Sequence, residues 1–245
     1  MEPRLTYRTP FGEVWLWGAL TGRPVLLIVT GAFADPGTLD HTGGVFPALD
    51  VLRTHIPGNH CPELVTTSVG VHAAALSDAL RQAALEAPLG VLGISLGALT
   101  ALGLRSPRLR RLLLIEPPLF TADAWHLTDS LPTTPGSPEA AFFWELFGIR
   151  GREVAEPRDY SPLLAGLQVP AEVLLGDIPA MPRRPLDTPP SFVGPATRAL
   201  LEAHPHVRTT VAPGAGHNVP VQGTMVLYNA LVRMVTDLTR PPGKV

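Results

Sequence analysis

A chain of 245 residues with 19 lysines and arginines against 21 aspartates and glutamates has a formal net charge of −2 with histidine neutral. That balance supplies no global field for nucleic acid or an anionic membrane, so neither is expected as a partner. Hydrophobic residues make up 45% of the chain, which excludes a disordered polymer, and the length suits one domain, residues 1–245, around one sizeable core. The only cysteine, Cys61, can neither close an internal disulfide nor build a multi-cysteine zinc site. The N-terminus carries Glu2, Arg4, Arg8 and Glu13 and lacks an apolar segment of signal-peptide length, so a reducing, cytoplasmic setting is expected.

Taken in chain order, apolar runs of strand character fall at 13–17, 24–30, 64–67, 89–94, 111–115, 171–175 and 207–211. Several lack polar alternation. A continuous run such as Val25-Leu26-Leu27-Ile28-Val29 suits a strand covered on both faces, the condition of a parallel sheet between helices. Helical patterns fall at 71–85, 96–104, 195–203 and 219–238, and the β–α alternation predicts an α/β fold, a mostly parallel central sheet flanked by helices. The first two strands are expected to form an antiparallel edge. Residues 87–104 are uncharged over a length that touches the lower limit for a membrane helix. Pro88 and the glycines at 90, 93, 97 and 103 divide them instead into a strand, a tight turn and a helix, so no membrane insertion is expected. The alternation is interrupted at about 117–168, where Trp125, Phe142, Phe143, Trp144 and Phe147 cluster, and this interval is expected to form a helical cap over a site. The proline-rich stretch 179–195 reads as an irregular loop.

The sharpest local signal is Gly93-Ile94-Ser95-Leu96-Gly97, at the point where a strand ends and a helix begins. A serine hydroxyl is a weak nucleophile unless a tight turn exposes it beside a general base, and flanking glycines allow that close turn. Among eight histidines, His217 alone follows a late strand within a glycine-rich turn, Gly214-Ala215-Gly216-His217-Asn218, which places it at the same sheet edge as Ser95. The third member should be a carboxylate that orients the imidazole. Asp177 fits, at the carboxyl end of the strand ending Leu174-Leu175-Gly176. Glu116, which ends the strand at 111–115, is its rival.

The order Ser95, Asp177, His217, with G-x-S-x-G at a strand-to-helix turn, resembles the α/β-hydrolase fold family, and the likeness extends over nearly the whole chain. What that resemblance implies is a serine esterase or related acyl hydrolase, and the cap aromatics, if they face Ser95, point to a small, largely apolar acyl substrate. Ser95 would be nucleophile, His217 base and Asp177 the orienting acid, with no metal or cofactor required. The family's oxyanion hole implies the backbone amides of Leu96 and, in the loop Thr30-Gly31-Ala32-Phe33, of Ala32. A serine nucleophile argues against the family's aspartate-nucleophile branches, the haloalkane dehalogenases and epoxide hydrolases. A thioesterase, a carbon–carbon bond hydrolase and a non-catalytic ligand-binding protein of the same fold are the alternatives. Phe33, Phe142 and Trp144 are candidate substrate contacts, against the plainer possibility that the aromatic run at 142–147 is a packed helix face. His55, His60 and Cys61 lie in a turn-rich stretch without an evident fourth metal ligand. The arginines at 105, 108, 110 and 111 suit the carboxyl end of the preceding helix.

Overall fold

The computed structural model describes residues 3–34, 37, 39, 40, 42–130, 136–182 and 188–240. Its strands are β1 (Arg4–Thr9), β2 (Gly12–Trp17), β3 (Val25–Val29), β4 (Asp50–Thr54), β5 (Leu89–Ile94), β6 (Leu109–Ile115), β7 (Ile149–Arg150), β8 (Glu153–Val154), β9 (Ala171–Gly176) and β10 (Val207–Ala212). The α-helices are α1 (Thr42–Val45), α2 (Val69–Gln82), α3 (Leu96–Gly103), α4 (Leu127–Ser130), α5 (Pro138–Phe147), α6 (Pro195–Ala203), α7 (Val219–Gln222) and α8 (Thr224–Thr239). Eight strands form one sheet in the order β1-β2-β4-β3-β5-β6-β9-β10. From β4 to β10 every neighbour is parallel, as the unbroken apolar runs require.

The period-two geometry of a strand explains how one apolar run serves two cores. On β3, Val25, Leu27 and Val29 pack with Leu76 of α2 and Leu99 of α3, while Leu26 and Ile28 join Leu227, Leu231 and Met234 of α8. Each fully buried leucine of this kind contributes about 1.5–3 kcal/mol. Buried Glu172 on β9 accepts from Nε and Nη2 of Arg233 on α8 and from Thr210 Oγ1, a polar link between sheet and helix.

Four expectations change. The antiparallel edge is β1 with β2, whereas 24–30 yields β3, an interior parallel strand. Residues 64–67 are loop, with Val65 exposed, and the strand between β2 and β3 is β4. β4 escapes the pattern because Asp50, Arg53 and Thr54 are polar yet buried. Asp50 accepts from the backbone of Thr21, Gly22 and Arg23 and from Thr21 Oγ1, which fixes the turn before β3. The segment 219–238 is two helices, because the chain breaks at Gly223, where a Cβ would lie 2.8 Å from that of Ala212.

Within residues 117–168 lie a 3-10 turn (Thr121–Ala124), α4, α5, the β7–β8 hairpin and a second 3-10 segment (Ser161–Gly166). Ser137 caps α5 by accepting from Ala140 N, Pro138 occupies its first turn, and Gly148 ends it in the left-handed region. Among the described residues no helix is long and apolar enough to cross a membrane.

Candidate active site

β5 ends at Ile94, and Ser95 begins the turn into α3 with φ 54° and ψ −119°. A non-glycine residue there is strained, and the surrounding packing holds it. A Cβ on Gly97 would lie 2.2 Å from the Val29 carbonyl, and one on Gly93 2.5 Å from the Gly97 carbonyl. Both clashes are with backbone. Gly97→Ala is therefore expected to cost about 1–3 kcal/mol of stability, or more if β3 must shift. A lowered thermal midpoint together with slower labelling of Ser95 by a fluorophosphonate would report it. An unchanged midpoint would show that this packing does not hold the turn.

The parallel register sets the neighbours of Ser95. Ile94 pairs with Ile115, so Glu116, immediately after β6, occupies the position beside Ser95, whose amide donates to Ile115 O at 2.8 Å. Glu116 also has positive φ, 51°, and is fully buried. Its Oε1 accepts from Gly176 N (2.7 Å) and Ser191 Oγ (2.8 Å), and its Oε2 from Phe192 N (2.7 Å). The same Oε2 lies 3.4 Å from Nδ1 of His217. His217 is held from two further directions. Its amide donates to Pro189 O at 3.0 Å, and its ring stacks on Phe192 at 3.6 Å between centroids and 14° between planes.

Asp177 stands elsewhere. It is exposed, and its Oδ1 accepts from Gly214 N at 2.8 Å. The reason is the turn after β10, which folds over the end of β9. Gly176 passes so close beneath it that a Cβ would meet Gly216 O at 2.3 Å, and the amides of Asp177 and Ile178 both donate to Ala215 O. Asp177 thus braces the outer side of the turn, while Glu116 faces the imidazole from within. The expectation that Asp177 contacts His217 is corrected to Glu116.

The loop after β3 crosses Ser95, since a Cβ on Gly31 would lie 3.3 Å from Ser95 Cβ. The amides of Ala32 and Leu96 donate to no acceptor among the described residues. Phe33, next in the loop, stacks on Phe143 and meets Phe142 edge-on. A cavity of about 290 Å³ begins there, bounded by Phe33, Leu96 and Phe142. Trp144 is not among its walls: two residues along a helix is about 200° of turn, and its ring lies under the guanidinium of Arg150 at 4.0 Å.

Sequence reading missed Ser191 and Phe192, which sit in a stretch taken for featureless loop, and the histidines His126 and His72. His126 packs on Phe192 at 4.4 Å; burial first, and then the neighbouring His217 charge, holds it down to about 4. Burial pushes His72 on α2 down to about 3. Both stay neutral in the folded chain where an unfolded histidine, ordinarily near 6.5, takes up a proton. Stability is consequently complete above about pH 6.5, falls as the pH drops toward about 3, and changes no further from this source below that. His72→Gln should recover on the order of 2–3 kcal/mol of the loss at about pH 4 relative to neutrality. Denaturant midpoints at the two pH values check it, and an acid limb as steep as that of the unmodified chain would refute it.

Comparison with solved structures places this architecture. An esterase from Thermogutta terrifontis with malate bound is 17% identical at a TM-score of 0.68, over 97% of this chain and 100% of that one. Carboxylesterase CesB from Bacillus subtilis is 15% identical at 0.68, over 97% and 92%. The N-acyl homoserine lactonase AidH, complexed with N-butanoyl homoserine, is 17% identical at 0.67, over 99% and 100%. Neither a protein-family model nor a curated protein matches the chain. The chain has the α/β-hydrolase fold.

Proposed function

We propose that the protein is a serine hydrolase that cleaves a carboxylic ester or related acyl bond of a small, largely apolar substrate, with Ser95, His217 and Glu116 as its catalytic residues. The observation that carries this is Ser95 on a strained strand-to-helix turn with the buried Glu116 beside it on the neighbouring strand's end, its carboxylate 3.4 Å from the half-buried His217 ring. The esterase, carboxylesterase and lactonase among the similar structures support the reaction class.

In this reading Ser95 Oγ attacks the substrate carbonyl carbon and passes its proton to His217 Nε2. Glu116 holds Nδ1–H and offsets the imidazolium charge. The amides of Ala32 and Leu96 receive the oxyanion, each such donor being worth about 10²–10³ in turnover. Collapse breaks the bond to the leaving group, which takes the proton from His217, and water then cleaves the acyl-enzyme by the same steps in reverse roles. The 3.4 Å separation of Nδ1 and Oε2 is of the loose kind that tightens when substrate binds. The interval 117–168 acts as the cap, with Phe142 over the pocket.

The test is hydrolysis of p-nitrophenyl esters of graded acyl length, with mass-spectrometric mapping of a fluorophosphonate adduct. Turnover with the adduct on Ser95 is expected. An unlabelled serine and no hydrolysis at any length would mark a ligand-binding protein of this fold instead.

A further inference from the structure

We propose that the cavity lined by Leu96, the residue after Ser95, is an acyl pocket read at its inner wall by His72, and that the preferred acyl group carries a hydroxyl partway along its chain. The proposal rests on the acyl-hydrolase function above and specifies its substrate class. Leu96, which follows the nucleophile, and Thr100 both line the cavity. Four residues of helix rise about 6 Å, so the cavity runs along α3 away from the reacting carbon by one turn. Ile56, Val69 and Leu146 are the buried apolar part of its wall.

Of the polar residues in that lining, Glu63, Thr66, Thr67, Ser68 and Glu139 are exposed and Asn59 is half-buried, and only His72 and Thr100 are buried. His72 reaches the cavity from α2, 5% exposed, with Nδ1 3.0 Å from Thr100 Oγ1, which in turn lies 3.2 Å from Leu96 O. Its second nitrogen, Nε2, has no hydrogen-bond partner among the described residues. Because the ring is neutral, Nε2 offers either a lone pair or one N–H, depending on the direction of the Thr100 bond. A hydroxyl satisfies both, since it donates and accepts. A plain alkyl chain would displace water from Nε2 without replacing its bond, the situation in which a buried polar site rejects the analogue lacking the polar group. The charged groups of the lining, apart from this neutral ring, are the exposed carboxylates Glu63 and Glu139 toward the mouth, which disfavour an acyl chain ending in a carboxylate.

The experiment compares p-nitrophenyl hexanoate with its monohydroxylated counterparts, the hydroxyl stepped along the chain, in the unmodified protein, His72→Leu and His72→Gln. Fluorophosphonate titration counts the folded active sites, so loss of folding cannot mimic loss of selectivity. At one hydroxyl position kcat/KM should exceed that of the plain ester about tenfold or more. His72→Leu should bring the ratio close to one, and His72→Gln, which keeps a hydrogen-bonding end, should restore part of it. A ratio that His72→Leu leaves intact, or no preferred position in the unmodified protein, overturns the proposal while Ser95-dependent ester turnover stands. Absence of Ser95-dependent turnover on every ester overturns the hydrolase function, and the pocket assignment with it.

Discussion

Ser95→Ala is expected to lower p-nitrophenyl ester turnover by about 10⁵–10⁶-fold, with the thermal midpoint close to that of the unmodified chain. The activity loss follows from chemistry that no neighbour can supply: without Oγ there is no covalent acyl intermediate, and His217 has no proton to accept. Stability should survive because the turn is held by backbone. Ser95 N donates to Ile115 O, Ser95 O accepts from Ala98 N, and Gly93 and Gly97 pack directly on main-chain atoms. Alanine keeps the Cβ that already tolerates φ 54° at this position. A residue of about 10³–10⁴ over the uncatalysed rate should persist, because the Ala32 and Leu96 amides and the pocket would still bind and polarise the ester. Retention of more than about one part in a hundred of the original rate would place the nucleophile elsewhere.

Much of this architecture was legible because two signals coincide. The run at 89–94 ends where Gly93 and Gly97 permit a turn, and the structure has strand, turn and helix at that place. Gly214 and Gly216 before His217 likewise foretell a tight turn, realised over Gly176. The acid was harder, since both Glu116 and Asp177 end strands and the sequence gives no means to tell which faces inward. Only the register decides: Glu116 stands one strand from Ser95, and the donors that surround it come from Ser191 and Phe192, some 75 residues along the chain. β4 was hidden for a related reason, its buried polar residues being satisfied by long-range partners such as the Thr21–Arg23 turn. His72 gave no local signal at all, because its meaning lies in Thr100 and in the cavity they share.

The second large effect separates the two carboxylates. Glu116→Gln should reduce kcat/KM by about 10⁴-fold per active site, the scale seen when an orienting carboxylate becomes an amide and the imidazole loses its tautomer. It should also destabilise the fold. Gly176 N, Ser191 Oγ and Phe192 N all donate to this side chain, and an amide brings two N–H groups of its own into that donor-rich pocket. Each mispaired donor costs about 1–3 kcal/mol. Asp177→Asn faces neither problem, because its Oδ1 can still accept from Gly214 N and the side chain is exposed. Its effect on kcat/KM is expected to stay within about threefold. Rates normalised to fluorophosphonate-titrated sites keep the stability loss of Glu116→Gln out of the comparison. If Asp177→Asn proves the more damaging, the turn over Gly176 must open during catalysis to bring Asp177 against His217, and the acid role passes from the end of β6 to the end of β9.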